Sequence, residues 1–145
     1  MLSISAEEFL IWKKKQLSKG GPQESFAVLL DCMGGISTSD INLITINPQG
    51  ILHLKKNLEF LESVWDDHLI RSFPIQYLCG ITYWRDLKLK VTNKVLIPRP
   101  ETELIVDIVF NLFRRKSEKL FFAELGTGSG AISIALALAL SLIHI

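Results

Sequence analysis

Leu120-Phe121-Phe122-Ala123 runs into Glu124-Leu125-Gly126-Thr127-Gly128-Ser129-Gly130, and an apolar run from Ala131 to Leu140 follows. An unbroken apolar run before a glycine cluster reads as a strand buried on both faces, the kind a parallel sheet requires. The run after the cluster reads as a helix. Strand, glycine loop and helix in that order are how an open α/β sheet presents backbone to a nucleotide-like ligand. Three glycines in five residues remove the side chains that would block close approach. The helix start offers N–H groups with no partner inside the helix.

The loop alone leaves its ligand open. Gly126-x-Gly128-x-x-Ala131 satisfies the dinucleotide fingerprint, which tolerates Ala at its last position. A phosphate-binding loop of the Gly-Lys-Ser/Thr type is excluded, because no lysine follows at the required spacing. A tight turn without ligand would account for one or two glycines, less readily for three with Thr127 and Ser129 between them. Glu124 discriminates further. An acid at the mouth of the loop attracts an ammonium group and repels pyrophosphate.

Upstream of the loop, Leu104 to Phe113 is apolar on nearly all sides, a helix expected to pack on two faces. Pro98-Arg99-Pro100 delays it until Pro100, which suits a first helical turn, and Glu101 and Glu103 favour the dipole there. Arg114-Arg115-Lys116 suits its C-terminus. Further back, Ile81 to Trp84 and Leu87 to Val91 flank Arg85-Asp86, which predicts a β-hairpin. Pro74 to Gly80 forms a compact segment before it.

The first part of the chain changes character. Ser5 and Glu8 make an S-x-x-E start for a helix carrying Phe9, Leu10, Trp12 and Leu17. Gly20-Gly21-Pro22 stops it. A second helix puts Phe26, Leu29, Leu30 and Met33 inward and ends at Gly34-Gly35. A short helix is expected from Ser39 to Ile46, capped by Ser39 or Asp40, and another from His53 to about Ser72 with Leu54, Leu58, Leu61 and Trp65 in register. Residues 1–72 therefore read as an all-helical unit, 73–97 as a linker containing the hairpin, and 98–145 as the start of an α/β domain.

Composition sets outer bounds. With 48% hydrophobic and 21% charged residues the chain is globular, and a net charge of +1 supplies no field for nucleic acid or anionic membrane. Lys13-Lys14-Lys15 reads as a solvated helix face. Cys32 and Cys79 lack paired spacing, and His53, His68 and His144 are scattered, so no metal is expected. Glu7, Glu8 and Lys13 interrupt any early apolar run, and Ala131 to Ile145 is shorter than the roughly 20 residues of a membrane helix. A cytoplasmic location is expected. Leu140 to Ile145 matches one translation of a transposon end sequence used in sequencing-library preparation. These six residues are expected to lie outside the natural frame.

Glu124 to Gly130 resembles the first motif of class I S-adenosylmethionine-dependent methyltransferases. Val95-Leu96-Ile97-Pro98-Arg99-Pro100-Glu101-Thr102-Glu103-Leu104, with Pro74-Ile75-Gln76-Tyr77-Leu78 and Gly80, is the more specific stretch. It resembles the release-factor glutamine methyltransferases, the HemK/PrmC family, over nearly the whole chain to about Ala139. The resemblance implies a Rossmann-like α/β domain preceded by a helical domain that binds the release factor and by a hairpin linker. It implies S-adenosyl-L-methionine as cofactor, held at Glu124, Gly126, Thr127, Gly128, Ser129 and Gly130. The family commonly carries the shorter Asp where this chain has Glu124.

The implied activity is methylation of a glutamine side-chain amide in a peptide chain release factor, the protein partner of translation termination. A monomer making no direct contact with nucleic acid or membrane is expected. Two family elements are absent from this sequence: the acid after the second strand that holds the ribose hydroxyls, and the Asn-Pro-Pro-Tyr motif that grips the glutamine. No catalytic residue is therefore assigned, and the 145 residues alone are expected to be inactive. The ribosomal-protein glutamine methyltransferases are the near alternative, disfavoured because that branch resembles Pro-Arg-Ser-Pro where this chain has Pro98-Arg99-Pro100-Glu101. A non-catalytic protein-binding module and a nicotinamide-dependent oxidoreductase are the more distant ones.

Overall fold

In a computed structural model that describes residues 2–115 and 121–140, the chain divides into two compact units, one running to Cys79 and the other starting at Gly80. The fold is a mixture of helices and two small antiparallel sheets.

The first unit opens with strand β1 (Leu2–Ser5), which feeds directly into helix α1 (Ala6–Ser18). Ser5 accepts the Glu8 N–H at 3.2 Å, as the spacing predicts. Helix α2 (Gln23–Leu29) starts after Pro22 and widens into a π-helical turn over Leu30–Gly34. Gly35 stops it with φ 73°, a left-handed conformation that suits glycine. Helix α3 (Thr38–Ile46) is capped two residues earlier than Ser39. Ser37 and Asp40 satisfy each other's backbone N–H groups as a full capping box.

Strand β2 (Ile51–Leu54) then pairs with β1, with Leu2 opposite Leu54 and Ser5 opposite Ile51. This corrects the all-helical reading of residues 1–72. His53 and Leu54 belong to a strand, and helix α4 (Leu58–Arg71) begins later, capped by Asn57. The short helix α5 (Ile75–Cys79) completes the unit.

The core gathers Phe9, Phe26, Leu29, Leu30, Leu54, Leu61, Trp65 and Ile75, each no more than 1% exposed. Trp65 meets Phe26 edge to face at 4.8 Å, and its indole N–H donates to the Gln16 carbonyl at 3.3 Å. Ile75 is wholly buried in this cluster, which ties α5 to the first unit.

The second unit begins with the predicted hairpin, β3 (Ile81–Trp84) and β4 (Leu87–Lys90), turned at Arg85-Asp86. A 3-10 turn at Pro100–Thr102 leads into helix α6 (Glu103–Phe113). Helix α7 (Ala131–Ala139) follows the glycine loop. Trp84, Leu89, Val106, Ala131, Ala135 and Leu136 form the core shared by hairpin, α6 and α7.

The expected strand before the loop does not form in its described part. Phe121 to Glu124 takes no ladder partner, and Phe121 is 85% exposed. An extended segment becomes a strand only when a neighbour satisfies its N–H and C=O groups. Leu120, Lys116 and Ser141 to Ile145 lie outside the described residues. No single described helix is long and apolar enough to cross a membrane.

Candidate functional site

The glycine loop folds as a series of left-handed positions. Gly126, Gly128 and Gly130 take φ values of 71°, 58° and 77°, which residues with a Cβ rarely adopt. A Cβ at Gly126 would meet no atom within 4 Å, and one at Gly128 only the Gly126 carbonyl oxygen, at 3.8 Å. Gly126 and Gly128 therefore serve backbone conformation with open space on their side-chain side, whereas a Cβ at Gly130 would press on Ile134 Cδ1 at 3.3 Å. The Gly130 N–H donates to the Thr127 carbonyl at 2.9 Å, closing the turn. Gly130 then caps α7 without a side-chain acceptor.

Glu124 is anchored to that helix. Its carboxylate accepts the Ser133 hydroxyl one turn into α7, and its carbonyl accepts the Thr127 hydroxyl at 3.4 Å. The acid at the loop mouth is thus held in place by the helix that the loop opens.

The loop forms one wall of a cleft of about 440 Å³. Glu124, Gly126, Thr127, Gly128 and Ser129 line it, with Ala131 and Ile132 from α7. Gly130 closes the turn and is not among the residues that line the cleft. The opposite wall is Leu96, Pro98, Arg99 and Thr102. The structure thus brings together two stretches that the sequence separates by more than twenty residues.

The hairpin holds this second wall. The Trp84 indole N–H donates to the Arg99 carbonyl at 2.9 Å, and Trp84 is 3% exposed. Arg85 donates to the Glu103 carbonyl at 3.2 Å and pairs with Asp107 at 2.9 Å. Its guanidinium is held charged above the ordinary range, mainly by the Asp107 hydrogen bond. Two consecutive hairpin residues therefore grip both ends of the Pro100–Thr102 turn. Glu101 is exposed, and Glu103 heads α6 with its carbonyl committed to Arg85.

Reading by residue type found the loop wall but not the facing one. Leu96, Pro98, Arg99 and Thr102 belong to the stretch that carries the family resemblance, but their residue types alone point to no ligand. A signal was present in Arg99, a cation between two prolines, where no helix face or charge pair calls for it. Among the described residues no cluster of three or more metal-ligating side chains occurs.

A sulfonium cofactor with an amino-acid end fits these residues. The cleft offers an acid, three hydroxyl side chains, a cation and glycine backbone with open space above it.

No family model matches the chain. Curated proteins do. It is 44% identical over 127 residues to the release factor glutamine methyltransferase of Prochlorococcus marinus, covering 87% of this chain and 43% of that protein. The protein of the same name from Synechocystis is 35% identical over 137 residues, covering 87% and 44%. That of Gloeobacter violaceus is 35% identical over 118 residues, covering 81% and 41%. The chain thus spans less than half the length of these relatives. The class these relatives define is that of the methyltransferases. Over the stretch it spans, the chain belongs to the release factor glutamine methyltransferase family.

Proposed function

We propose that this chain supplies the methyl-donor half of an enzyme that methylates a glutamine amide in peptide chain release factors. The observation that carries the reading is the cleft in which Glu124 and the glycine loop face Leu96 to Thr102. One wall alone would fit many nucleotide ligands. Both walls together combine an acid for an ammonium group with the stretch most specific to this family.

S-adenosylmethionine, when bound, supplies a methyl group on a positively charged sulfur. The residues of this chain bind and orient it. Glu124 attracts the ammonium of the amino-acid end, while the Ser133 hydroxyl holds one of its carboxylate oxygens. Gly126 and Gly128 let backbone approach the cofactor without a Cβ in the way, and Gly130 turns the chain into α7. An amide nitrogen is a poor nucleophile because its lone pair is shared with the carbonyl. Rate enhancement must therefore come from alignment of the amide with the methyl group and from acceptors on its N–H groups. The Asn-Pro-Pro-Tyr motif that serves this purpose in the family is not in this sequence.

On this reading residues 98–145 begin a class I, Rossmann-like domain, and residues 73–97 link it to the N-terminal part. Residues 1–72, with α5 packed onto their core, form the module that recognises the release factor. The expected location is the cytoplasm, and the expected state a monomer.

The test uses the chain continued by its own downstream coding sequence, incubated with methyl-labelled S-adenosylmethionine and either a release factor or ribosomal proteins. Label on the release factor is expected. Label on a ribosomal protein alone moves the chain to the sister branch. Label on neither, with cofactor bound normally, leaves a binding module.

A further inference from the structure

The cleft contains two opposite charges that do not neutralise each other. Glu124 and Arg99 both line it, yet no ion pair joins them, and among the described residues no carboxylate pairs with Arg99. Glu124 instead takes the Ser133 hydroxyl. Arg99 is exposed, while the backbone that carries it is fixed by the buried Trp84 through its carbonyl. A free guanidinium on a clamped backbone is a poor contributor to stability. It is well suited to a planar anion, which it can bind through two parallel N–H groups.

A cleft with a separated anion and cation matches a zwitterionic α-amino-acid group, ammonium towards one and carboxylate towards the other. We propose that Arg99 is the carboxylate-binding residue of the cofactor cleft, opposite the ammonium at Glu124. This assignment rests on the proposal that the cleft takes S-adenosylmethionine. Trp84 acts as its positioning residue, because its indole N–H holds the Arg99 carbonyl.

The experiment compares S-adenosylmethionine with decarboxylated S-adenosylmethionine, which lacks only the carboxylate. Binding of each is measured by titration calorimetry to the continued protein and to its R99M and R99K variants. The unmodified protein is expected to bind the carboxylate-bearing ligand about 10- to 100-fold more tightly, the worth of a charge-assisted hydrogen-bonded pair. R99M is expected to bind both ligands within about twofold of each other, and R99K to keep part of the preference. A circular dichroism spectrum matching the parent's shows that each variant is folded. Should R99M lose its fold, the R99K preference decides, and a preference equal to the parent's overturns the proposal. An undiminished preference in folded R99M overturns it as well. Equal binding of both ligands by the unmodified protein overturns the Arg99 assignment and leaves the cofactor reading standing. Binding of neither ligand overturns both.

Discussion

Gly128 holds φ at 58° where a Cβ would touch little of the protein itself. The cost of a side chain there is backbone strain plus entry into ligand space, and a β-branched residue suffers most from both. In the continued protein Gly128→Val should abolish S-adenosylmethionine binding in a calorimetric titration while the helical spectrum persists. Wild-type affinity in that variant would remove the loop from the site. A second residue-scale test concerns pH. The Glu62 carboxyl is pulled down to about 2, chiefly by the hydrogen bond from Lys19 at 2.8 Å. Its folded value lies below the ordinary 4.5, so its contribution is full above that pH and is lost as pH falls towards 2. Asp40 adds in the same direction, through its hydrogen bonds with Ser37. Glu62→Gln should flatten the acid limb of a stability-against-pH curve measured by thermal melting. An unchanged limb would show that the Lys19 pair does not contribute. Residues whose role is local were the readable ones: the Ser5 cap, the Gly35 stop and the loop glycines. Arg99 was not, because what gives it meaning is a wall contributed by a distant segment.

The hairpin is the element that converts sequence into site. Its inner face buries Trp84 and Leu89 under α6 and α7, while Trp84 and Arg85 hold the far wall of the cleft. Trp84→Phe keeps an aromatic ring in the core and deletes the N–H donor to Arg99. A stability loss of about 1 kcal/mol is expected, together with weaker S-adenosylmethionine binding. Lost stability with full affinity would reduce the hairpin to scaffolding. The hairpin was legible from its alternating residues around Arg85-Asp86. The β1–β2 ribbon was equally written in alternation, Leu2-Ser3-Ile4-Ser5 and Leu52-His53-Leu54, but four-residue strands are easily absorbed into neighbouring helical patterns. Here His53 and Leu54 fell in phase with the α4 stripe. The stretch Leu120 to Ala123 shows the opposite error. Its composition is that of a buried strand, but composition cannot supply the neighbour that a strand needs.

At the scale of the molecule, the first unit carries the larger core and closes with α5, since Ile75 is buried in its cluster. Residues 1–79 should therefore melt cooperatively as an independent unit, and residues 1–72 should melt at lower temperature for want of Ile75 and Leu78. Equal melting temperatures would place α5 outside the folding unit. The second unit exposes Leu104, Leu112, Phe121 and Leu125 at 62%, 63%, 85% and 96%. An apolar surface of that kind calls for more protein to cover it, and residues 80–145 alone should aggregate or bind a hydrophobic dye. The account as a whole is tested most directly by mass spectrometry of a release factor after incubation with the continued protein and methyl-labelled S-adenosylmethionine. The predicted result is one methyl group on a glutamine side-chain amide, absent when Gly128→Val replaces the parent; an unmodified release factor, with the parent protein folded and cofactor bound, would contradict it.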